Sequence, residues 1–529
     1  MRGNLNRENR EIRSATGKYP VRAANRPAGK AAMNADRKSD ESIVLPTQAN
    51  NAGTEPAAES VEERDSAKMS TSQHDRPRTS SRTKRRSRGL LGVRETARDC
   101  PALKFENLLH HINVPLLHEA FDDLKKSAAA GIDEVTWQQY EQDREASIEA
   151  LHGRIHRGAY RAKPSKRIYI PKADGRQRPI GITALEDKIV QKATGWVMQC
   201  IYEQDFLGFS YGGRPGRGAH DALDALCVGV SSKKVNWILD ADVKGFFDNV
   251  DHQWLMKFIE HRISDKRILR LIGKWLRAGV SEDGEWSKTT VGTPQGAVIS
   301  PLLANIYLHY VLDLWIDHWR RQRGRKDVVV VRYVDDFVIG FESKADAEMC
   351  LEALRERFGK FGLELHPEKT RLLEFGRYAI ERRSERGDGR PDTFDFLGFT
   401  HRCDTSPKTG WFMIRRETIA SRMARTLSAI KAELRRRRHQ SVGQQGRWLG
   451  SVVRGWLAYY AVPGNVSRLR RFRDEVSRLW LRTLCRRSQR HRWPWPRMKR
   501  LLLTYLPHAK VRHPYPDQRF RARIKAGAV

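Results

Sequence analysis

Acidic residues are scarce beside basic ones. The 529 residues hold 63 Asp and Glu against 98 Lys and Arg, a formal charge of +35. That imbalance argues against a small-molecule metabolic enzyme with a neutral surface. It points to a polyanion partner, either nucleic acid or an anionic membrane face. Long apolar runs are also missing. The densest is Val328 to Val331, far short of the ~18 residues of a membrane span, so no membrane partner is expected. Met1 is followed by polar and charged residues, not by the apolar stretch of a secretory signal. The start is Arg-rich like a transit peptide, but Glu8 and Glu11 count against one. Cysteine is rare: Cys100, Cys200, Cys227, Cys350, Cys403 and Cys485. No two form C-x-x-C, which argues against a zinc ribbon or dithiol redox site and suits a reduced compartment. No G-x-x-x-x-G-K-[ST] phosphate loop exists, and His118-Glu119 lacks the second His of a zinc-protease helix.

What is present is a large hydrophobic fraction, 39%, enough for an extensive core. The length predicts two to four folded units at ~150 residues each. Residues 1–88 have few aromatics and no apolar period, and read as a disordered basic tail of charge +8 closed by Thr83-Lys84-Arg85-Arg86-Ser87-Arg88. Leu103 to Leu124 reads as helical. Arg167 to Pro171 alternates, Asp174-Gly175 supplies a turn, and Arg178-Pro179-Ile180 continues, which predicts a hairpin. A helix over Ala184 to Tyr202, a strand over Val235 to Asp242 and a second hairpin around Tyr333 to Asp336 follow. Hairpins mixed with helices predict an α+β fold, not a doubly wound parallel sheet. From Ile419 the period changes. Ile419, Met423, Leu427, Ile430 and Leu434 share one helix face, and two similar stretches follow, predicting a separate helical unit. Its polar faces are basic, notably Arg435, Arg436, Arg437 and Arg438. Residues 485–529 carry +12 interleaved with Trp493, Trp495, Tyr505, Tyr515 and Phe520. Such a mixture suits phosphate contacts plus base stacking.

Two segments place carboxylates at the ends of apolar β runs. One is Leu239-Asp240-Ala241-Asp242-Val243-Lys244-Gly245-Phe246-Phe247-Asp248. The other is Val331-Arg332-Tyr333-Val334-Asp335-Asp336-Phe337. Carboxylates in such places need a cation. Adjacent Asp335 and Asp336 on a hairpin tip suit Mg²⁺, which favours a few carboxylates plus substrate phosphates. A lone Asp-Asp is more often turn chemistry; two such segments in one strongly basic chain favour a metal site.

With these blocks in hand, the chain resembles a group II intron reverse transcriptase/maturase, of the bacterial type lacking the H-N-H endonuclease. The matching blocks run from about Phe105 to the C-terminus. They are Gly131-Ile132-Asp133, Ile170-Pro171-Lys172 with Arg178-Pro179-Ile180-Gly181, Ser210-Tyr211-Gly212 with Arg214-Pro215-Gly216-Arg217, the Asp242 block, Thr293-Pro294-Gln295-Gly296, the Tyr333-Val334-Asp335-Asp336 block, Leu365 to Thr370 and Phe394 to Phe399. The resemblance implies a right-hand polymerase of fingers, palm and thumb. Residues 89–410 would form fingers and palm, 411–484 an all-helical thumb/maturase domain X, and 485–529 a nucleic-acid-binding segment. It implies RNA-directed DNA polymerisation with two Mg²⁺ ions on Asp242, Asp335 and Asp336, with the Val243 carbonyl as a further ligand and Asp240 structural. Lys172 and Arg178 resemble fingertip cations that grip a dNTP triphosphate, and Gln295 resembles the residue touching the incoming nucleotide. Either Phe246 or Phe247 resembles the gate against a ribose 2′-hydroxyl. Lys369 matches a lysine that protonates, or simply contacts, the pyrophosphate. Implied partners are group II intron RNA, an RNA template with DNA primer, dNTPs and a DNA target, in the bacterial cytoplasm. Arg435 to Arg438, Arg492 and Arg497 are the expected RNA contacts. The chain departs from the family in having Val334 where Ala is usual and Gly213 where Phe is usual. A free-standing reverse transcriptase and an RNA-binding splicing cofactor without polymerase activity are the alternatives.

Overall fold

The computed structural model describes residues 81–171, 177–282, 285–287, 291–293, 296–322, 327–406, 409–487 and 493–525. Of the expected tail, residues 1–80 lie outside these. Residues 81–88, expected in the tail, begin helix α1, Ser81–Asp99. Its buried Val93 and Ala97 join the core. The helix expected over Leu103 to Leu124 is shorter than predicted. Asn113 accepts a hydrogen bond from the Leu116 N–H, Pro115 follows in the first turn, and α2 spans only Val114–Asp122. That combination of cap and proline starts a helix and blocks its extension backwards.

Helices α3 (Trp137–Gln142) and α4 (Arg144–His156) lead to strands β1 (Ser165–Pro171) and β2 (Gln177–Ile182). These pair antiparallel with Ile170 opposite Arg178, as the alternation predicted. Helices α5 (Leu185–Asp205) and α6 (Ala219–Ser232) precede β3 (Trp237–Ala241). Then come α7 (Phe246–Asn249), α8 (His252–Glu260), α9 (Lys266–Arg277), β4 (Val280–Glu282), β5 (Glu285–Ser287), α10 (Ser300–Leu308) and α11 (Leu314–Gln322). A π-helical turn, His309–Asp313, joins the last two. Strands β6 (Val328–Tyr333) and β7 (Asp336–Phe341), helix α12 (Lys344–Lys360), β8 (Arg371–Glu374), α13 (Ala379–Arg386), β9 (Phe394–Phe396), β10 (Phe399–Thr405) and β11 (Phe412–Thr418) complete the sheets.

The strand orders are β2-β1-β4-β5, β6-β7-β3-β8 and β11-β10-β9. All pairings between these strands are antiparallel except β1 with β4. The fold is a mixed helix and sheet structure, as expected for α+β.

The sheet β6-β7-β3-β8 is buried on both faces, and its two-residue period divides the core. Leu239, Ala241, Val330, Phe337 and Ile339 face the part built from α2, α5 and α8 to α12. Ile238, Val331 and Val338 face the other part, shared with α6 and the C-terminal helices. Those are α14 (Ala420–Arg436), α15 (Val442–Tyr460) and α16 (Val466–Cys485). The helical periods after Ile419 therefore form the predicted helices. They are not a self-contained unit, however, because they share one continuous core with the back of this sheet. The expected boundary at 410/411 falls in the turn of the β10–β11 hairpin.

Residues 485–529 were expected to serve nucleic acid. The helices described beyond α16 are α17 (Trp495–Tyr505) and α18 (Pro516–Lys525). Met498, Leu502 and Leu506 are buried with α15 and α16. Arg519 bonds Asp224 on α6 at 3.1 Å, beside the buried Arg416–Asp224 pair at 2.7 Å. Part of this segment's positive charge is thus consumed inside the protein. No helix among the described residues is long and apolar enough to cross a membrane.

Candidate active site

Strand register gathers the carboxylates. Strands β6 and β7 pair from Val328–Phe341 to Tyr333–Asp336, leaving Val334 and Asp335 as a two-residue turn. Strand β3 lies on the other side of β7, with Asp240 opposite Val338 and Ala241 opposite Phe337. Continuing that register by one residue sets Asp242 opposite Asp336. Asp240, Asp242 and Asp336 therefore share one sheet face, with Asp335 at the tip beside them.

The backbone after β3 is fixed by a bridge between Val243 and Leu365. The Asp242 carbonyl accepts from the His366 N–H at 2.8 Å, and the Lys244 N–H donates to the Glu364 carbonyl at 2.9 Å. Alternation along an extended chain then turns the Val243 carbonyl away from this partner. Asp240 bonds Arg371 at 3.1 Å, its register partner on β8. Arg371 thus pairs with Asp240, while desolvation still raises the Asp240 carboxyl above its ordinary value.

Asp242 has such a partner in Lys369, whereas Asp335 and Asp336 form no ion pair among the described residues. Asp336 is exposed at the start of β7. Desolvation, then the charges of Asp335, Asp242 and Asp240, push its carboxyl up to about 7. Desolvation and Asp242 also raise Asp335, while Arg178 and Arg332 oppose the shift. Crowded carboxylates with raised pKa values mark a deficit of nearby positive charge. Lys369 Nζ lies 2.5 Å from Asp242 Oδ2 and supplies part of it. Among the described residues, no three His, Cys, Asp or Glu side chains gather closely enough to hold a metal unaided. A cation here would thus need oxygens from outside the side chains, from the Val243 carbonyl or a bound phosphate. That is the donor set Mg²⁺ favours.

Sequence reasoning missed the group that holds the turn. Arg332, in the middle of an apolar strand, is fully buried, as is Asp313. Its Nε donates to Asp313 Oδ1 at 2.7 Å and its Nη2 to Asp313 Oδ2 at 2.5 Å, a fork-to-fork pair. The remaining guanidinium hydrogens reach Asn305 Oδ1 (2.8 Å), Ser210 Oγ (2.7 Å) and the Val334 carbonyl (2.8 Å). Asn305 in turn donates to the Gly212 carbonyl at 2.8 Å. Val334 has φ +55°, a costly conformation for a β-branched residue. The bracket ties that strained residue to α10, to the π-helical turn and to the Ser210-Tyr211-Gly212 segment. A signal was available: a charged residue inside Val328 to Tyr333 must find a buried partner.

The other predicted residues divide clearly. Lys172, Gln295 and Arg492 lie outside the described residues. Arg178 is exposed on β2, and its charge acts on Asp335. Phe246 is buried in the core, whereas Phe247 is half-buried beside it, the rings 5.3 Å apart. Arg436 and Arg437 both pair with Glu433 on their own helix, and Arg437 also lies over the Trp448 ring. Arg497 stacks on Trp493 at 4.2 Å. Arg435 and Arg438 instead line a cleft against α16.

Residues 170–401, which carry both carboxylate segments and β2 to β9, match the family Reverse transcriptase (RNA-dependent DNA polymerase). The chain belongs to the reverse transcriptases. Within them its relatives place it among the group II intron reverse transcriptases and maturases. It is 34% identical to Protein YkfC of Escherichia coli over 331 residues, 55% of this chain and 87% of that protein. It is 33% identical to the Group II intron-encoded protein LtrA of Lactococcus lactis over 246 residues, 44% of this chain and 41% of that protein. An uncharacterized 91 kDa protein in the cob intron of Schizosaccharomyces pombe is 40% identical over 159 residues, 30% of this chain and 19% of that one. The chain thus spans less than half the length of the latter two relatives. Reverse transcriptases use divalent metal ions, in keeping with the charge deficit at the carboxylates.

Proposed function

We propose that this chain polymerises DNA on an RNA template and also binds group II intron RNA, assisting its splicing and its insertion into a DNA target. The observation that carries the catalytic part is the register that sets Asp242 opposite Asp336 with Asp335 at the adjoining tip. Two Mg²⁺ ions held by Asp242, Asp335, Asp336 and the Val243 carbonyl would activate the primer 3′-hydroxyl for attack on a dNTP α-phosphate and stabilise the leaving pyrophosphate.

The chain's own groups do the rest. Arg178 on β2, with Lys172 beyond β1, holds the triphosphate by charge-assisted bonds. Gln295 touches the incoming nucleotide. Phe247, the more exposed of the two phenylalanines, stands against the sugar and excludes a 2′-hydroxyl, while Phe246 packs the core. Lys369, on the rim at Asp242, donates its proton to the pyrophosphate. Residues 89–410 act as fingers and palm, and 411–484 as thumb, with Arg435, Arg438, Arg492 and Arg497 on RNA.

The intron reading rests on the family, because basic surfaces alone do not choose an RNA. Two assays on the Asp335→Asn protein test both parts. RNA-templated primer extension should be lost. Binding and splicing of the intron transcribed from around the reading frame should persist. Loss of both would show that the two roles are not separable, and retention of extension would remove Asp335 from the metal site.

A further inference from the structure

The C-terminal segment closes onto the end of α15, and the contacts run on from there to a strained turn beside the carboxylate site. A helix end leaves carbonyls that its own later turns do not satisfy. The Ala461 carbonyl, just past α15, accepts from the Arg512 N–H (2.8 Å) and the His513 N–H (3.2 Å). The Ala458 carbonyl lies 2.5 Å from His513 Nε2. Arg519 Nη2 donates to His513 Nδ1 at 2.8 Å, so the ring hydrogen sits on Nε2 and is given to Ala458. Burial, with the Arg519 charge beside it, pushes the His513 pKa down to about 4 and keeps the ring neutral. Arg519 is itself anchored on Asp224 of α6 at 3.1 Å. His220, at the start of the same helix, stacks on His513 at 4.0 Å and packs on Tyr459 at 4.9 Å.

Tyr459 follows Ala458 in α15, and its hydroxyl donates to the Leu397 carbonyl at 2.7 Å. Leu397 and Gly398 are the two-residue turn between β9 and β10, with Phe396 paired to Phe399. Leu397 has φ +45°, a left-handed conformation that is costly for any residue with a Cβ. Among the described non-glycine residues only Glu134, Val334 and Leu397 have such a positive φ. Val334 is the tip beside Asp335, held by Arg332. Leu397 is its counterpart on a second hairpin near the same carboxylates. Asp395, two residues earlier on β9, acts electrostatically on Asp240. A Cβ on Gly398 would stand 3.5 Å from Arg422 Nη1, and the Arg422 charge opposes the rise in the Asp336 pKa. Strain of this kind persists only where the surroundings enforce it.

We infer that Tyr459 is a positioning residue for DNA synthesis and that His513 and Arg519 hold it in place, an inference that rests on the polymerase mechanism proposed above. With the hydroxyl bonded, the Leu397–Gly398 turn is fixed, and with it the approach of β9 and Arg422 to the carboxylates. Without it, the left-handed residue relaxes and the turn moves relative to Asp336. The Tyr459 ring already packs on Phe399 at 5.7 Å, so the hydroxyl adds placement of the turn and not burial. The C-terminal segment, expected to serve nucleic acid, thereby gains a task met entirely within the chain.

The test is steady-state RNA-templated primer extension by the full chain and by its Tyr459→Phe, His513→Ala, His513→Gln and Tyr459→Phe/His513→Ala variants, with circular dichroism melts. Tyr459→Phe keeps the ring, so the fold is kept. It should lower kcat about five- to tenfold, the worth of one hydrogen bond, with the dNTP KM and the affinity for a template–primer duplex within about twofold of wild type. His513→Ala should lower kcat by a similar factor. His513→Gln, whose amide N–H replaces the Nε2 hydrogen at Ala458, should recover most of the loss. Because His513 acts through Tyr459, the double variant should be scarcely slower than Tyr459→Phe. Wild-type kcat in Tyr459→Phe overturns the inference and leaves the polymerase mechanism standing. Weakened duplex affinity at unchanged kcat in His513→Ala overturns it too, and returns the segment to nucleic-acid contact. Losses that multiply in the double variant overturn the link between the two residues. If His513→Ala melts below the assay temperature, the Tyr459→Phe and His513→Gln rates decide. If the wild-type chain extends no primer, the polymerase mechanism fails and the inference falls with it.

Discussion

The buried bracket under the Val334–Asp335 turn makes a sharp energetic prediction. Asp313→Asn keeps the side-chain shape but leaves Arg332 as an uncompensated charge with no solvent exposure. His309 cannot share that charge, and its own pKa is pushed down to about 4 by burial. Breaking a buried pair from one side costs about 3 to 5 kcal/mol. Asn305, Ser210 and the Val334 carbonyl still accept from Arg332, so we expect the lower end, about 3 kcal/mol. A second variant separates stability from positioning. Replacing both Arg332 and Asp313 by Leu removes the charges together, which is often neutral or stabilising. It also removes the only described side-chain bond to the Val334 carbonyl. The urea midpoint should therefore recover toward wild type. The rate of RNA-templated extension at saturating template should stay down by about a hundredfold, the penalty for roughly 1 Å of misplacement. The reasoning fails if Asp313→Asn shifts the unfolding free energy by less than about 1 kcal/mol, or if the double-Leu chain extends primers like wild type.

Other consequences can be checked in the same assays. Phe247→Ala should raise ribonucleotide incorporation relative to dNTPs with little change in melting, whereas Phe246→Ala should cost about 3 to 5 kcal/mol of stability as a core cavity. Gly212→Ala places a Cβ about 2.6 Å from Val334 Cγ2 and 2.7 Å from the Val334 backbone nitrogen. It should depress the extension rate, and Val334→Ala in the same chain should not fully restore it, because the clash with the nitrogen remains. The fully buried His401 has its pKa pushed down to about 3, chiefly by desolvation. The unfolded ring takes up a proton below about 6.5 while the folded one stays neutral, so this site loses stability as pH falls through that window. His401→Phe should blunt the loss by about 2 kcal/mol at pH 5, read from urea midpoints at pH 5 and 7.5.

Much of this was readable because local pattern and tertiary context agree. The hairpin at Tyr333–Asp336 has a two-residue period on both sides, and the helices after Ile419 have an apolar period of 3.6. Where the reading failed, the deciding contact was remote in sequence. The C-terminal helices looked like a separate unit because periodicity reports that a face is buried, not against what. Their partner includes Ile238 and Val338 on the far face of the central sheet. The short α2 was set by the Asn113 cap and Pro115, which the spacing of Leu103, Leu108 and Leu109 obscured. Among the arginines at 435–438, charge gave no clue to which are free. Glu433, two residues before that run, takes Arg436 and Arg437 and leaves Arg435 and Arg438 to the cleft.

The central claim is that Asp242 and Asp335 are one metal-holding unit assembled by strand register. The most direct measurement is RNA-templated primer extension by Asp242→Asn, Asp335→Asn and the double variant across a Mg²⁺ titration, with circular dichroism melts as the check on folding. Residues acting as a unit are non-additive. Each single change should therefore lower the maximal rate by at least about a hundredfold, and the double variant should be scarcely worse than either single. Extension by a folded Asp242→Asn protein within a few-fold of wild type, at any Mg²⁺ concentration, would contradict the account.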